Sequence, residues 1–308
     1  KSISIVEYTY HMSISRQNLS VVIVTFKSNQ IIHRCIESIP PEIKIIIIEN
    51  SKNKQFKEDL ETKYKNVECF LSPENLGMGS GNNLGLKYVN TDYAIILNPD
   101  VILEKDTIEE IIEGSKKIDS FAVLAPLSSN TYFPNYKIEK KNINLISENS
   151  PFKVKSVDGY AMLFNLNKIN KYDDFQDYNY FDENFFMYLE NDDLCKRLTD
   201  YSENIFIIPK SKVNHLGGKG ADSKYSFEIE LSRNWHWIWS KFYFNKKHFG
   251  FLRAFLNGLP SFLSAIFKYL FYLIIHENKK KLIYSQRMMG FISALFGKTS
   301  YYRPKIED

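Results

Sequence analysis

The sequence is short of cysteine, of net charge and of unbroken apolar runs, and each shortage removes a class of function. The three cysteines among 308 residues, Cys35, Cys69 and Cys195, are far apart and odd in number. They support neither a cysteine-rich zinc cluster nor a disulfide framework, and they point to a reducing compartment. A formal net charge of +4 is too small to suggest nucleic acid as a partner. In the apolar C-terminal part the longest uncharged stretch, residues 254–267, has 14 residues and contains Asn, Gly and Pro. A membrane-spanning helix wants roughly 20 apolar residues. Residues 1–18 (KSISIVEYTYHMSISRQN) lack the apolar core of a secretory signal. The glycine-rich stretch NLGMGSGNN (75–83) lacks a Gly-Lys-Ser/Thr ending and does not fit G-x-G-x-x-G. It is neither a Walker loop nor a dinucleotide fingerprint.

What is present reads as an ordinary folded chain, 44% hydrophobic and 25% charged. Short β-branched or apolar runs, LSVVIVTF (19–26), KIIIIEN (44–50), VECFLSP (67–73), YAIILN (93–98) and FAVLAP (121–126), predict buried strands. Between them, 30–39, 53–65 and 104–118 have helical spacing, and a helix over 79–89 is expected after a glycine-rich turn. Continuous apolar strands alternating with helices predict a mostly parallel, Rossmann-like α/β sheet with helices on both faces. Ligands of such sheets lie beyond the strands' carboxyl ends. Here those ends carry Thr25, Glu49-Asn50-Ser51 and Asn98-Pro99-Asp100.

The ordered set SVVIVTF, IIENS, ENLGMGSGNNLGL, LNPDV, VDGYAMLF, FDENFFMYLENDDLCKR and VNHLGGKG resembles the family 2 glycosyltransferases over residues 19–240. The likeness is strongest to their bacterial rhamnosyltransferase-like branch, and it implies the GT-A nucleotide-sugar-binding fold. In that family an Asp-x-Asp triplet holds a divalent cation on the donor diphosphate. This chain has Asn98-Pro99-Asp100, so the resemblance implies a Mg²⁺ or Mn²⁺ ligand at Asp100, with His215 assisting. It further implies nucleotide-sugar contacts at Thr25, Glu49, Asn50, Asn75, Gly77 and Asn82. Further donor contacts are implied at Asn98, at Gly159 and at Lys219 in the Gly217-Gly218 loop. The free N–H groups of the helix after the glycines would face the ligand.

The family's general base is the second acid of a Glu-Asp pair, and here the chain reads Glu190-Asn191-Asp192-Asp193. An amide cannot take a proton at neutral pH, so Asn191 leaves three alternatives open. Glu190 or Asp192 serves as the base, Asp158 serves, or the chain is a catalytically impaired nucleotide-sugar-binding protein. Asp193 shares a helix face with Glu190.

The expected organisation is an N-terminal extension (1–18), a glycosyltransferase domain (19–240) and a helical C-terminal region (241–308). Two shorter amphipathic helices are expected across 249–275, then a basic stretch (276–287) and a third apolar piece (288–298). Basic residues beside apolar helices suit an anionic membrane surface. The same helices would otherwise pack on the catalytic domain or form a homodimer. The resemblance implies an inverting enzyme, cytoplasmic and peripheral on the inner membrane face, acting in surface polysaccharide synthesis. Its donor would be a nucleotide-diphosphate sugar, rhamnose from dTDP-rhamnose in this branch, and its acceptor a glycan or polyprenyl-linked sugar.

Overall fold

The computed structural model describes residues 13–130, 134–139, 143–144, 146–218 and 220–306. Its strands are β1 (Leu19–Thr25), β2 (Lys44–Glu49), β3 (Val67–Leu71), β4 (Tyr93–Leu97), β5 (Val101–Leu103), β6 (Val123–Ser128), β7 (Tyr136–Lys137), β8 (Phe152–Val154), β9 (Ser156–Val157), β10 (Ala161–Asn165) and β11 (Ile205–His215). Its helices are α1 (Ile32–Glu37), α2 (Lys54–Lys63), α3 (Gly77–Leu86), α4 (Thr107–Ser115), α5 (Leu166–Ile169), α6 (Glu190–Asp200), α7 (Ser226–Phe249), α8 (Phe251–Ile274) and α9 (Asn278–Leu295).

The main sheet runs β3-β2-β1-β4-β10-β6-β11-β5, with β8 also on β11. The first four strands are parallel, as their two-sided burial predicted: every residue of β1 and β4 is buried. Beyond β4 the sheet is mixed, because β10 enters antiparallel to both β4 and β6. Alternate residues of one strand serve opposite cores. Val21 and Ile23 belong to one cluster, and Val22 and Val24 to the other.

Several elements differ from expectation. The helix expected over 79–89 runs from Gly77 to Leu86 as α3, and its glycines serve packing. A Cβ on Gly81 would come within 2.8 Å of Val24 Cγ1, and one on Gly85 within 2.4 Å of Val22 Cγ1. Absent side chains let α3 lie close on β1, which outweighs glycine's poor helix propensity. Next, residues 251–274 form one helix through Pro260. Pro260 is exposed, while Ala254, Gly258 and Ala265 hold the helix against its neighbours on both sides of the proline. Residues 278–295, expected as a basic stretch and a separate apolar piece, are likewise one helix. Finally, residue 240 falls inside α7, so the chain does not break at the expected domain boundary. Trp235, Ile238, Trp239 and Phe242 of α7 form a third core with Ala254 of α8 and Phe291 of α9. Of the expected N-terminal extension, the described residues 13–18 are attached to the domain: Ile14 is buried in the main core and Arg16 pairs with Glu42 and Glu109.

Candidate functional site

A cleft of about 690 Å³ opens at the carboxyl ends of β1 and β4. It is walled by Asn98, Asp100, Asp158, Glu190, Asn191 and His215, among others. Strand register assembles its floor. The chain leaves β4 at Leu97 and resumes as β5 at the far edge of the sheet, so Asn98-Pro99-Asp100 spans the break. β5 pairs antiparallel with the end of β11, placing His215 opposite Val101 and next to Asp100. His215 Nε2 lies 3.5 Å from Asp100 Oδ1, and Tyr160 stacks on the imidazole at 4.1 Å between ring centroids. The Asn98 backbone N–H donates to Tyr160 O at 2.9 Å, and Leu216 N to Asp100 O at 3.0 Å. Asn98 Oδ1 is buried there with no hydrogen-bond partner among the described residues. A buried acceptor without a donor is costly, and this one lines the cleft.

The opposite wall is the start of α6. Tyr188 and Leu189 both have left-handed backbone, with φ of 71° and 67°. Two successive non-glycine residues in that region store strain of about 1–3 kcal/mol each. The turn they make brings Glu190 into the cleft as the first residue of α6. Glu190 Oε2 is buried with no hydrogen-bond partner among the described residues, and burial, with a smaller push from Asp192, raises this carboxyl to about 7. Asn191 Nδ2 donates to Val157 O at 2.7 Å, tying α6 to the strand before Asp158. Asp192 pairs with Lys137 at 2.7 Å. Asp158 opens onto the cleft but is crowded by protein. That crowding raises its pKa, with Asp192 adding to the rise and Lys137 and His215 opposing it.

Gly77, Asn75 and Asn50 line the cleft from the α3 side. Gly77 has φ +78°, and a Cβ there would lie 2.2 Å from Phe186 O. The first α3 amides are not free for a ligand as expected: Gly77 N donates to Asn75 Oδ1 and Met78 N to Phe186 O. Asn50 Nδ2 in turn donates to Gly77 O at 3.2 Å. Past His215, Gly217 and Gly218 turn the chain with positive φ, and Ser28 Oγ pins Gly220 O at 2.5 Å.

Four expected site residues lie elsewhere. Glu49 is buried with both carboxylate oxygens accepting from backbone: Ser51 N to both and Asn53 N to Oε2, each at 2.9 Å. It fastens the β2–α2 turn and does not line the cleft. Thr25 is fully buried, its hydroxyl 3.4 Å from Ile48 O. Asn82 is buried inside α3, its Oδ1 without a partner among the described residues, also off the cleft wall. Asp193 is a fully buried hub meeting Arg197, Lys247 and His248 at 2.7–2.8 Å, and it joins α6 to α7. It shares no cleft wall with Glu190, because that face of α6 is covered by α7. Lys219 lies outside the described residues.

Comparison with known proteins now bears on this geometry. The family model described as glycosyl transferase family 2 matches residues 20–179. The chain belongs to glycosyl transferase family 2. It is similar to the low-salt glycan biosynthesis hexosyltransferase Agl10 of Haloferax volcanii, 23% identical over 205 residues. Those residues are 61% of this chain and 64% of Agl10, so the match spans just under two thirds of that relative. It is similar to rhamnosyltransferase WbbL of Escherichia coli, 23% identical over 256 residues, 74% of this chain and 96% of WbbL. Among solved structures it resembles mannosyltransferase PcManGT from Pyrobaculum calidifontis, solved in complex with GDP-Man and Mn²⁺. The TM-score is 0.55 at 8% identity, covering 92% of this chain and 88% of that one. Such low identity speaks to the fold alone, and the fold is GT-A.

In this family 2 chain the matched segment ends before α6, so Glu190 and the rest of that wall lie outside it. Several cleft residues escaped the sequence reading. Lys137 comes from the two-stranded sheet of β7 and β9. Arg233 and Trp237 come from α7, and Pro304 from the tail beyond α9. The helical spacing of Leu231, Trp235, Ile238 and Phe242, all buried, is the signal that could have placed α7.

Proposed function

We propose that the cleft transfers a glycosyl group, with inversion, from a nucleotide-diphosphate sugar to an acceptor hydroxyl. The observation that carries this reading is the opposition of two walls: Asp100 with His215 on one, Glu190 on the other.

Asp100, His215 and the unpaired Asn98 Oδ1 fit a divalent cation that is shared with the donor. Among the described residues no group of three or more His, Cys, Asp and Glu side chains could hold a metal by itself. A hard cation takes its remaining oxygens from phosphate and water. Bound there, Mg²⁺ or Mn²⁺ would neutralise the charge that builds on the departing diphosphate. Asn50, Asn75 and Gly77 offer polar and glycine surface to the nucleotide sugar, with Gly159 facing its sugar.

Glu190 is the base in this reading. It takes the acceptor's hydroxyl proton while that oxygen attacks the anomeric carbon and the bond to the diphosphate breaks. A carboxyl raised to about 7 is suited to this, since the best base has a pKa near the working pH. Asn191, whose amide is committed to Val157 O, positions the wall and needs no acid. Asp158 is the second choice, because its pKa is also raised and it faces the same cleft.

In this reading the C-terminal helices hold the cleft at a membrane surface. Among the described residues α8 alone is long and apolar enough to cross a membrane. Its outer face exposes Leu252, Leu256, Phe267 and Ile274, while Ala254, Gly258 and Ala265 pack inward. One packed side and flanking Lys279, Lys280 and Lys281 suit a helix that lies on an anionic leaflet. The acceptor in this reading is lipid-carried and belongs to cell-surface glycan synthesis at the inner face of the membrane, which the exposed apolar face of α8 supports. The likeness to WbbL supports rhamnose as the sugar.

The experiment is a thermal-shift series of dTDP, UDP and GDP with and without Mn²⁺, followed by transfer assays with the matching sugars. Binding stabilises the fold as RT ln(1 + [L]/Kd). Metal-dependent stabilisation greatest for dTDP supports the rhamnosyl reading, UDP or GDP leading redirects the sugar, and no metal-dependent shift with any nucleotide removes the reading.

A further inference from the structure

Beside the cleft lies a second hollow of about 520 Å³, lined by Tyr188, Arg233, Trp237, Ser226, Glu230, Asn234 and Arg287. Tyr188, Arg233 and Trp237 line both spaces, so the two are continuous. The hollow carries two arginines against one carboxylate, the exposed Glu230. Neither guanidinium has an ion-pair partner among the described residues. Arg287 Nε donates to Asn234 Oδ1 at 2.7 Å, which fixes the side chain while its terminal nitrogens keep donor capacity. Arg233 reaches the loop past His215: its Nη1 would be 3.4 Å from a Cβ on Gly218. Trp237, 45% exposed, supplies an aromatic face at the junction.

The hollow also leads away from the cleft. Arg287 lies over Tyr284 at 5.4 Å, and Tyr284 stacks on Tyr272 of α8 at 5.5 Å and 7°. Lys268 and Lys280 sit over these same two rings. The path therefore runs from the reacting centre, past paired arginines, to the helix whose outer face is apolar.

We propose that this hollow binds a diphosphate carried by the acceptor, with Arg233 and Arg287 as its ligands. The inference rests on the transfer reading above and names the acceptor's class: a sugar on a lipid diphosphate. Planar guanidinium forks suit phosphate oxygens, and two from different helices grip a diphosphate without a metal. The sugar then projects towards Glu190 and the lipid leaves along α8.

Trp237 reports the test, because the other two tryptophans, Trp235 and Trp239, are buried. The full chain is titrated in EDTA, which silences metal-dependent donor capture, with farnesyl diphosphate, inorganic pyrophosphate and farnesol. The expected result is saturable quenching by farnesyl diphosphate, weaker binding of pyrophosphate, and no saturable site for farnesol. Arg287→Gln should weaken farnesyl diphosphate about tenfold or more, and Arg287→Lys should restore part of it. Equal affinity for pyrophosphate and farnesyl diphosphate overturns the carried-diphosphate assignment, and binding indifferent to Arg287→Gln overturns the site. Nucleotide binding with Mn²⁺ is measured on the same samples. Its presence in Arg287→Gln shows that the variant is folded, and its absence from the native chain defeats the transfer reading independently of Arg287.

Discussion

Asn191 donates its side-chain amide to the carbonyl of Val157 at 2.7 Å, and this bond joins the wall that bears Glu190 to the strand that leads to Asp158. An aspartate there would set a carboxylate against a carbonyl oxygen, between the acids Glu190 and Asp192. Asn191→Asp, which restores the family's usual acid, should therefore destabilise the fold by about 1–3 kcal/mol and should not raise transfer. Urea unfolding and a transfer assay check this. A gain in turnover would mean that Asn191 is an impairing substitution after all.

The raised pKa of Glu190 fixes two opposite pH trends. As a base it must be ionised, so kcat/KM should climb as pH rises through about 7. Stability should move the other way. A carboxyl whose folded pKa lies above its unfolded value favours folding fully below the unfolded value, near 4.5, and loses that contribution as pH rises through about 7. Glu190→Gln should thus abolish transfer yet melt several degrees above the native chain at pH 8, with little difference at pH 4. Equal melting at both pH values would show that the carboxyl is not desolvated.

The close seat of α3 on β1 predicts a sharp cost for a single methyl group. Gly85→Ala would push a Cβ to within 2.4 Å of Val22 Cγ1, where β1 is fully buried. Overpacking of this kind costs about 1–3 kcal/mol. Chemical denaturation should show that loss, although alanine is the better helix former.

The parallel half of the sheet was legible because buried strands betray themselves as β-branched runs: Val21–Val24 and Ile45–Ile48 can be little else. The helix expected over 79–89 starts two residues earlier, at Gly77, because Gly77 was counted with the preceding turn; what its glycines are for shows only in the facing Val22 and Val24. Pro260 suggested a break that the packing of α8 on both sides overrides. In the site, Asp100 and His215 were named from their motifs and both line the cleft, while their adjacency depends on the His215↔Val101 register, which a sequence does not display. Glu49 stood at a strand end like a ligand, but the neighbouring amides that occupy it belong to a turn visible only in three dimensions.

For the helical region, the outward apolar face of α8 should carry membrane attachment. Phe267→Glu with Ile274→Glu alters two of its most exposed residues and no cleft residue. Co-sedimentation with vesicles containing anionic lipid should fall at least tenfold, while nucleotide binding in solution is unchanged. Undiminished sedimentation would show that another surface holds the membrane.

The most direct test of the account is calorimetric titration of the preferred nucleoside diphosphate into native chain and Asp100→Asn, each with Mn²⁺ and with EDTA. The account predicts tight binding only for the native chain with Mn²⁺, and equally weak binding in the other three arms. Tight Mn²⁺-dependent binding by Asp100→Asn would contradict it.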